Sequence, residues 1–391
     1  MSKKVGILGG GQLSQMLAEA ARNLGLHVIA FVDTPDDPAT QVAHEFVVGK
    51  VWDRKAVEAF LGSVEAVVFE SEFIPCENLE GLSDAKLFHP DLSCLRRFRD
   101  KLNQKTALKE AGIPAVPYVV YEDGDIGQWL KRLRVQFSQG VVLKWAQWGY
   151  DGKGVLQLRE DGEAIAFCER AKAKRIRIYG EKRVDFRREL AIIGCLSVTG
   201  QFVAYPLVVS EQWEGICLRV TGPATGLGVF PAHEKSARQF AETLARKNDL
   251  VGCFALELFE TKDGSLLVNE IAPRVHNSGH VTQDAMLTSQ FENHWRAVLG
   301  FPLGDTTSSD AFVMRNILGP DGVTCLNREI SPPVPPIDTK LHWYGKVDIR
   351  PRRKLGHLNA SAPTIAALPK IVEALEKAVV QWEKTLDGKK R

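Results

Sequence analysis

Cysteine is sparse in this chain of 391 residues: seven positions, 76, 94, 168, 195, 217, 253 and 325, none of them in a C-x-x-C pair. A scattered, odd-numbered set argues against a disulfide framework and a structural zinc site, and for reduced thiols buried as small hydrophobes. Long hydrophobic runs are missing too. No stretch approaches the roughly 20 uncharged apolar residues that span a bilayer, and the opening MSKKVGILGGG runs directly into a strand and a glycine turn. Neither a signal peptide nor a membrane partner is expected, and the location expected is cytoplasmic. Excess charge is absent, since 50 Lys+Arg stand against 48 Asp+Glu for a net of +2, which leaves no global footprint for nucleic acid. What is present is 45% hydrophobic and 25% charged positions, the composition of a globular protein. At about 150 residues per domain the length allows two or three. There is no internal repeat or low-complexity tract.

The pattern along the chain begins with an apolar strand over Val5 to Leu8, broken by Gly9-Gly10-Gly11. Leu13, Met16, Leu17, Ala20 and Leu24 then recur at helical spacing up to Gly25. Further strands are read at His27 to Val32 and at Ala66 to Glu70, the latter running into the acidic FESEF. Such alternation predicts a parallel sheet whose strand C-termini carry ligands. A helix is read from Asp100 to Ile113, followed by a strand around Lys144 and the glycine-rich WGYDGKG. From Glu189 the strands lengthen and alternate as in a mixed or antiparallel sheet. Helices are expected near Glu234 to Lys247 and Ser289 to Leu299, with CFALELFE and SLLVNEI as strands between them. SPPVPPID reads as a loop. In a terminal helix, Ile371, Leu375, Val379 and Trp382 share one face, as core packing would require.

Three readings compete at GILGGGQLSQM. Gly9 and Gly11 occupy the first two glycine positions of G-x-G-x-x-G, and Asp33 follows at the distance of a ribose-binding acid, which suggests an NAD-dependent dehydrogenase. Ser14 stands at the third glycine position, however, so an ordinary turn or a phosphate site on a small substrate also fits.

The middle of the chain points elsewhere. Lys144 precedes WGYDGKG, placing a fixed cation beside a flexible loop that carries Lys153, as a polyphosphate site requires; a surface hairpin is the plainer alternative. Glu257 and Glu270 fall on adjacent strands among apolar residues, where an unpaired carboxylate is costly. Mg²⁺ bridging to phosphates would resolve that cost, as would ion pairs with Arg274 or a lysine. NEIAPRVHNSGH then packs Asn269, Glu270, Arg274, His276, Asn277 and His280 into twelve residues. Metal ligands, an arginine and hydrogen-bonding groups for an anion are what phosphoryl transfer needs. Near the C-terminus, KVDIRPRRKLGHLN gathers Lys346, Arg350, Arg352, Arg353, Lys354 and His357, read as a second phosphate-binding site rather than a nucleic-acid patch. The basic run Arg170 to Arg188 reads as a solvated face.

In this order, GILGGGQL, FESEFIP, KWAQWGYDGKG, YPLVV, VNEIAPRVHNSGH and HWYGKVDIRPRRKLGH resemble the motifs of the 5-(carboxyamino)imidazole ribonucleotide synthase (PurK) family of ATP-grasp enzymes, over nearly the whole chain. The resemblance implies an α/β and α+β protein: a Rossmann-like parallel-sheet domain over 1–100, an ATP-grasp domain over 101–305 with a lid at about 115–180, and a small C-terminal domain over 306–391 completing the catalytic unit. It implies carboxylation of 5-aminoimidazole ribonucleotide with bicarbonate, ATP and Mg²⁺, through carboxyphosphate, in purine biosynthesis, by a homodimer.

Roles follow from the same resemblance. Lys101 and Lys144 would hold ATP phosphates beneath a loop of Gly149, Tyr150, Asp151, Gly152, Lys153, Gly154 and Val155. Glu181, Lys182, Arg183 and Val184 would line the adenine, Glu189 would bind the ribose, and Gln212 would stand near the phosphates. Glu257 and Glu270 would bind Mg²⁺ beside Asn269, and Arg274 would stabilise the transferred phosphoryl group. Gly11, Gln12, Leu13, Glu72, Tyr150, Lys346, Arg353 and Lys354 would surround the ribonucleotide, with His276 and Asn277 near bicarbonate. The chain departs from the family pattern at Trp148 and Arg352, where glycines are usual, and at Ser71, Phe73, Lys182, Arg183 and Gln212. A related ligase with a changed substrate and a nucleotide binder without turnover are the alternatives within this fold.

Overall fold

Val5 to Leu8 is apolar on both faces, as a strand covered on each side must be, and Lys4–Leu8 is the middle strand of a five-stranded parallel sheet. Across that sheet the order is Glu45–Val48, His27–Val32, Lys4–Leu8, Ala66–Phe69 and Phe88–His89. The computed structural model describes residues 2–82, 87–149, 153–308, 310–326 and 331–386. The order of connection reverses between Lys4–Leu8 and Ala66–Phe69, which run in register with Leu8 opposite Phe69. This is the switch point at which such sheets open a ligand crevice. Gly9–Gly11 and the FESEF segment leave their strands side by side there. Gly9, at φ +128°, adopts a backbone that only glycine takes readily.

A second sheet is antiparallel and four-stranded, in the order Tyr118–Val120, Ile178–Lys182, Val141–Trp145 and Val155–Gln157. The helices Ile126–Gln136 and Asp161–Ala173 cover it with Trp129, Leu130, Leu133, Phe167 and Cys168.

The third sheet has nine strands. Its main path runs Leu266–Ala272, Gly252–Thr261, Phe186–Leu196, Val208–Trp213, Ile216–Gly222, Ala311–Leu318, Lys354–Ala362 and Thr339–Trp343, with Phe202–Ala204 pairing to the side of Phe186–Leu196. Alternation along Gly252–Thr261 sends Phe254, Leu256 and Leu258 into one core and Cys253 and Ala255 into another. The helix Pro231–Lys247 fills the first with Ala237, Ala241, Leu244 and Ala245. The second is shared with the parallel-sheet unit: Trp295, on the helix Gln290–Leu299, donates its indole N–H to the Leu17 carbonyl at 2.8 Å. Glu257 and Glu270 continue the faces of Ala255 and Ala272, so both carboxylates point to the side occupied by that unit.

Several expected elements are shorter or shifted. The helix after Asp100 spans Lys101–Glu110, because Asp100 is its cap and Gly112, at φ +67°, ends it. In the last helix, Leu368–Lys384, the buried stripe is Leu368, Leu375, Val379 and Trp382, while Ile371 is only partly covered. All seven cysteines are free thiols, six of them buried. Among the described residues no helix is long and apolar enough to cross a membrane.

Candidate active site

One helical turn organises a cluster of buried charges. Asp100 accepts the N–H groups of Leu102 and Asn103, and this cap orients Lys101 and Lys105, four residues apart, along one face. Lys101 Nζ lies 2.7 Å from Glu270, and Lys105 Nζ lies 2.6 Å from Glu181. Lys144, on the neighbouring strand, reaches the other Glu181 oxygen at 2.6 Å and Asn269 Oδ1 at 3.0 Å. Burial alone would raise the Glu181 carboxyl, but the Lys144 and Lys105 ammonium groups outweigh it and hold it below the ordinary range. Lys105 is pulled down by burial despite its partner, whereas Lys144 stays above its usual value because Glu181 overcomes the cost of burial.

The paired carboxylates meet as expected: Glu257 and Glu270 are directly opposed across antiparallel strands, beside a bulge between Glu257 and Leu258. Burial pushes Glu257 up to about 7, with Glu270 and Glu189 adding to the rise and Lys101 and Lys354 opposing it. Its Oε1 lies 3.3 Å from His276 Nε2. The His276 ring is held neutral by burial, and its Nδ1 accepts the Ser278 N–H at 3.3 Å. The ring proton is therefore assigned to Nε2, facing Glu257. Both the ion-pair and the metal expectations thus find residues here. Among the described residues no group of three or more His, Cys, Asp or Glu side chains is arranged to hold a metal ion. Two facing carboxylates, one of them short of counter-charge, do fit a divalent ion that takes its remaining oxygens from phosphate and water.

Toward the parallel-sheet unit, Glu70 accepts the Gly11 N–H at 2.6 Å and the Leu13 N–H at 3.2 Å. The anion site at the helix N-terminus is thus filled by a carboxylate of the chain itself. A dinucleotide pyrophosphate would meet that negative charge, and the dehydrogenase reading loses its donors. Glu72 grips Arg274 through both oxygens, at 2.6 Å to Nε and 3.2 Å to Nη2. Lys346 lies over the Tyr344 ring, 5.6 Å from its centre, and is close enough to Glu70 to oppose the rise that burial imposes there. Arg353 pairs with Asp348, and Lys354 faces Glu257, His276 and His280.

The remaining expected residues are less uniform. Gly149 abuts Lys101, and Gly154, at φ +66°, packs against Gly149 and Trp145; Val155 pairs with Lys144 and Lys153 precedes it. Tyr150, Asp151 and Gly152 lie outside the described residues. The Lys182 N–H is bound to the Pro117 carbonyl and the Arg183 N–H to Gly140, and Val184 follows. Gln212 donates to Ser210 Oγ at 2.9 Å and also bonds Glu189, a carboxyl raised by burial. Asn277 is paired amide to amide with Asn316, at 3.0 and 2.7 Å. Gln12 opens the Gln12–Asn23 helix beside the Glu70 contacts. From Arg170 to Arg188, the run read as solvated, Arg177 and Arg188 instead pair with the buried Asp100 and Glu260. Glu70, Lys105 and Gln290 were not singled out by their sequence context. Gln290 clamps the loop after Arg274 by binding both the N–H and the carbonyl of His276. The spacing of four from Lys101 was a signal for Lys105; Gln290 had none.

Comparison with known proteins adds independent findings. Residues 1–97 match the ribonucleotide synthetase preATP-grasp domain, 106–291 the ATP-grasp domain, and 312–370 the phosphoribosylaminoimidazole carboxylase C-terminal domain. The N5-carboxyaminoimidazole ribonucleotide synthase of Mycobacterium tuberculosis is 38% identical over 376 residues, covering 93% of this chain and 85% of that protein. The chain belongs to the N5-carboxyaminoimidazole ribonucleotide synthase family. A synthase of this family in complex with ADP superposes with a TM-score of 0.85 at 32% identity, covering 98% of each chain. The Aspergillus clavatus synthase, solved with ADP and 5-aminoimidazole ribonucleotide, gives 0.84 at 29% identity, covering 97% of this chain and 99% of that one. The expected ATP-grasp fold, with a parallel-sheet domain before it and the synthase family's C-terminal domain after it, is therefore the fold of this chain.

Proposed function

We propose that the chain is an ATP-dependent ligase that joins the carbon of bicarbonate to the exocyclic amine of 5-aminoimidazole ribonucleotide, in purine biosynthesis. The observation that carries this reading is the position of Arg274. It follows the strand that bears Glu270 and grips Glu72 of the parallel-sheet unit, so groups suited to a nucleotide and groups suited to a second anionic ligand meet at one guanidinium.

Bicarbonate oxygen attacks the γ-phosphorus of ATP, ADP leaves, and the bicarbonate hydroxyl proton is released, giving carboxyphosphate. The amine then attacks the carboxyl carbon, the C–O bond to phosphate breaks, and the amine proton departs with the phosphate. The sum is one carbamate, one ADP, one phosphate and one proton.

Lys101 and Lys144 serve as the phosphate-binding cations, held until then by Glu270 and Glu181. Gly149 to Val155 covers the phosphates with Gln212 near them, residues 181–184 run along the adenine, and Glu189 takes the ribose side. Arg274 lies where charge on the transferred group can be stabilised, and neutral His276 offers hydrogen bonds beside it, next to Asn277. Gly11, Gln12, Leu13, Glu72 and Tyr150 surround the imidazole, leaving Lys346, Arg353 and Lys354 for the ribonucleotide phosphate. Glu257 and Glu270, with Asn269, would hold Mg²⁺, which when bound neutralises phosphate charge.

A cytoplasmic homodimer belongs to the same reading. The outer edge strand Glu45–Val48 supports self-association: Phe46 and Val48 are exposed on it, and Trp52 is exposed just beyond. Division of the chain at about 100 and 305, with a lid at about 115–180, is consistent with the three sheets.

Phosphate release from MgATP tests the activity. It should accelerate when the ribonucleotide and bicarbonate are both present. Stimulation by another amine alone would move the chain to a related ligase, and thermal stabilisation by nucleotide without any turnover would make it a binding protein.

A further inference from the structure

Trp148 is conformationally out of place. Its φ is +62°, in the left-handed region that bulky residues avoid, and half of its surface is exposed. Neither local backbone preference nor burial explains a tryptophan there. An aromatic partner among the described residues does: the ring stacks on Phe73, with centres 5.1 Å apart and planes inclined by 22°.

The two rings come from different sheets, Trp148 following the strand Val141–Trp145 and Phe73 following Ala66–Phe69. On the Trp148 side, Gln147 donates to Asp100 at 2.9 Å, and a Cβ built on Gly149 would lie 3.7 Å from Lys101 Nζ. Trp148 is thus flanked by Gln147, which is bonded to the cap of the phosphate-side helix, and by Gly149, which lies near its first lysine. On the Phe73 side, the preceding residue is Glu72, which holds Arg274 through both carboxylate oxygens. Phe73 N–H is itself held by Ser71 Oγ at 3.2 Å, so its segment is a defined turn. The stack therefore completes a path around the site: Lys101 to Glu270, along the strand to Arg274, across to Glu72, to Phe73, and back to Trp148, whose neighbour Gly149 lies beside Lys101.

We propose that the Trp148–Phe73 stack is a positioning contact that couples the phosphate-side loop to the Glu72–Arg274 pair, so that ATP cleavage is efficient only when the acceptor amine has set Glu72 in place. This rests on the ligase reading above. Carboxyphosphate formed without a waiting amine is lost to water, so a contact of this kind keeps phosphate release matched to product. Neither ring touches a reacting atom, and both act through their neighbours.

The test uses Trp148→Gly, which removes the ring and suits the left-handed backbone, together with Phe73→Leu. Phosphate released and carboxylated product formed are measured on the full chain with MgATP and bicarbonate, with and without 5-aminoimidazole ribonucleotide. In each variant the phosphate-to-product ratio should rise about three- to tenfold, the factor that loss of one aromatic pair is worth. KM for the ribonucleotide should rise with it, and Trp148→Phe should restore both. The melting temperature of Trp148→Gly should hold. A lower melting temperature with an unchanged ratio and KM would make the stack mere packing and overturn the proposal. If the parent chain itself shows no ribonucleotide-stimulated phosphate release, the ligase reading fails and takes this coupling with it.

Discussion

Lys144 and Glu181 are joined by a 2.6 Å ion pair across neighbouring antiparallel strands, and the glutamate that makes it is almost wholly buried. Its second oxygen is held by Lys105 at the same distance, so a single carboxylate bridges two lysines. In a nucleotide site this keeps two lysines close together before any phosphate arrives.

The first prediction concerns that carboxylate. Glu181→Gln leaves Lys105 and Lys144 with an uncompensated buried charge, a loss of about 3–5 kcal/mol when one partner of a buried pair is removed. Urea unfolding should shift its midpoint down accordingly. ATP should recover part of the loss, because its phosphates replace the missing charge. A midpoint within error of the parent would contradict the buried triad.

The second prediction separates metal binding from folding at Glu270. Lys101 is buried but Glu270 is partly exposed, and solvent reaching the carboxylate side of the pair lowers the cost of removing its charge. Glu270→Gln should lose turnover by about 100-fold or more, the scale on which removal of a group acting on the transition state is felt. Its melting temperature should stay within a few degrees of the parent. Retained turnover with a collapsed melting temperature would make the residue structural.

The third prediction is acid lability. His294 accepts the Cys253 N–H at Nδ1, 2.9 Å away, and burial pushes it down to about 3. His276, His280 and His357 are lowered in the same direction and for the same reason. An unfolded imidazole takes up its proton near pH 6.5, roughly. Stability from these groups is therefore complete above that pH and drains away as pH falls toward the folded values. Each contributes a slope of about 1.4 kcal/mol per pH unit in that window. Melting temperature should fall steadily from pH 6.5 to 5, and less steeply in His294→Gln, whose amide oxygen can still accept the Cys253 N–H. Equal slopes would remove His294 from the account.

Legibility in the sequence followed the range of the interactions. Val5 to Leu8, the helix after Gly11 and the strands bearing Glu257 and Glu270 were readable because their signals are local: apolar runs, periodicity and glycine stops. The facing of Glu257 and Glu270 could be inferred because two strands joined by a short turn must pair. Glu181 could not be placed between two lysines, since Lys105, Lys144 and Glu181 come from three elements and nothing within a window of ten residues links them. The role of Glu70 in FESEF is not legible, because its partners are main-chain N–H groups on another strand-to-helix turn, and main-chain donors leave no mark in composition. Trp148 and Arg352 carry a different lesson. Both keep a left-handed backbone, at φ +62° and +66°, where glycine is the ordinary choice. Each side chain has found a partner across a loop, Phe73 for one and Glu214, Asp321 and the Trp213 ring for the other.

The strands Ala311–Leu318, Lys354–Ala362 and Thr339–Trp343 extend the same sheet that carries Glu257 and Glu270. A ribosome delivers those strands last. Until they emerge, Ile216–Gly222 is an open edge with unpaired main-chain groups, ready to recruit a strand from another nascent chain. That sheet is thus complete only when synthesis has passed residue 362, and a chain stopped near 305 would be prone to aggregate before it could be assayed.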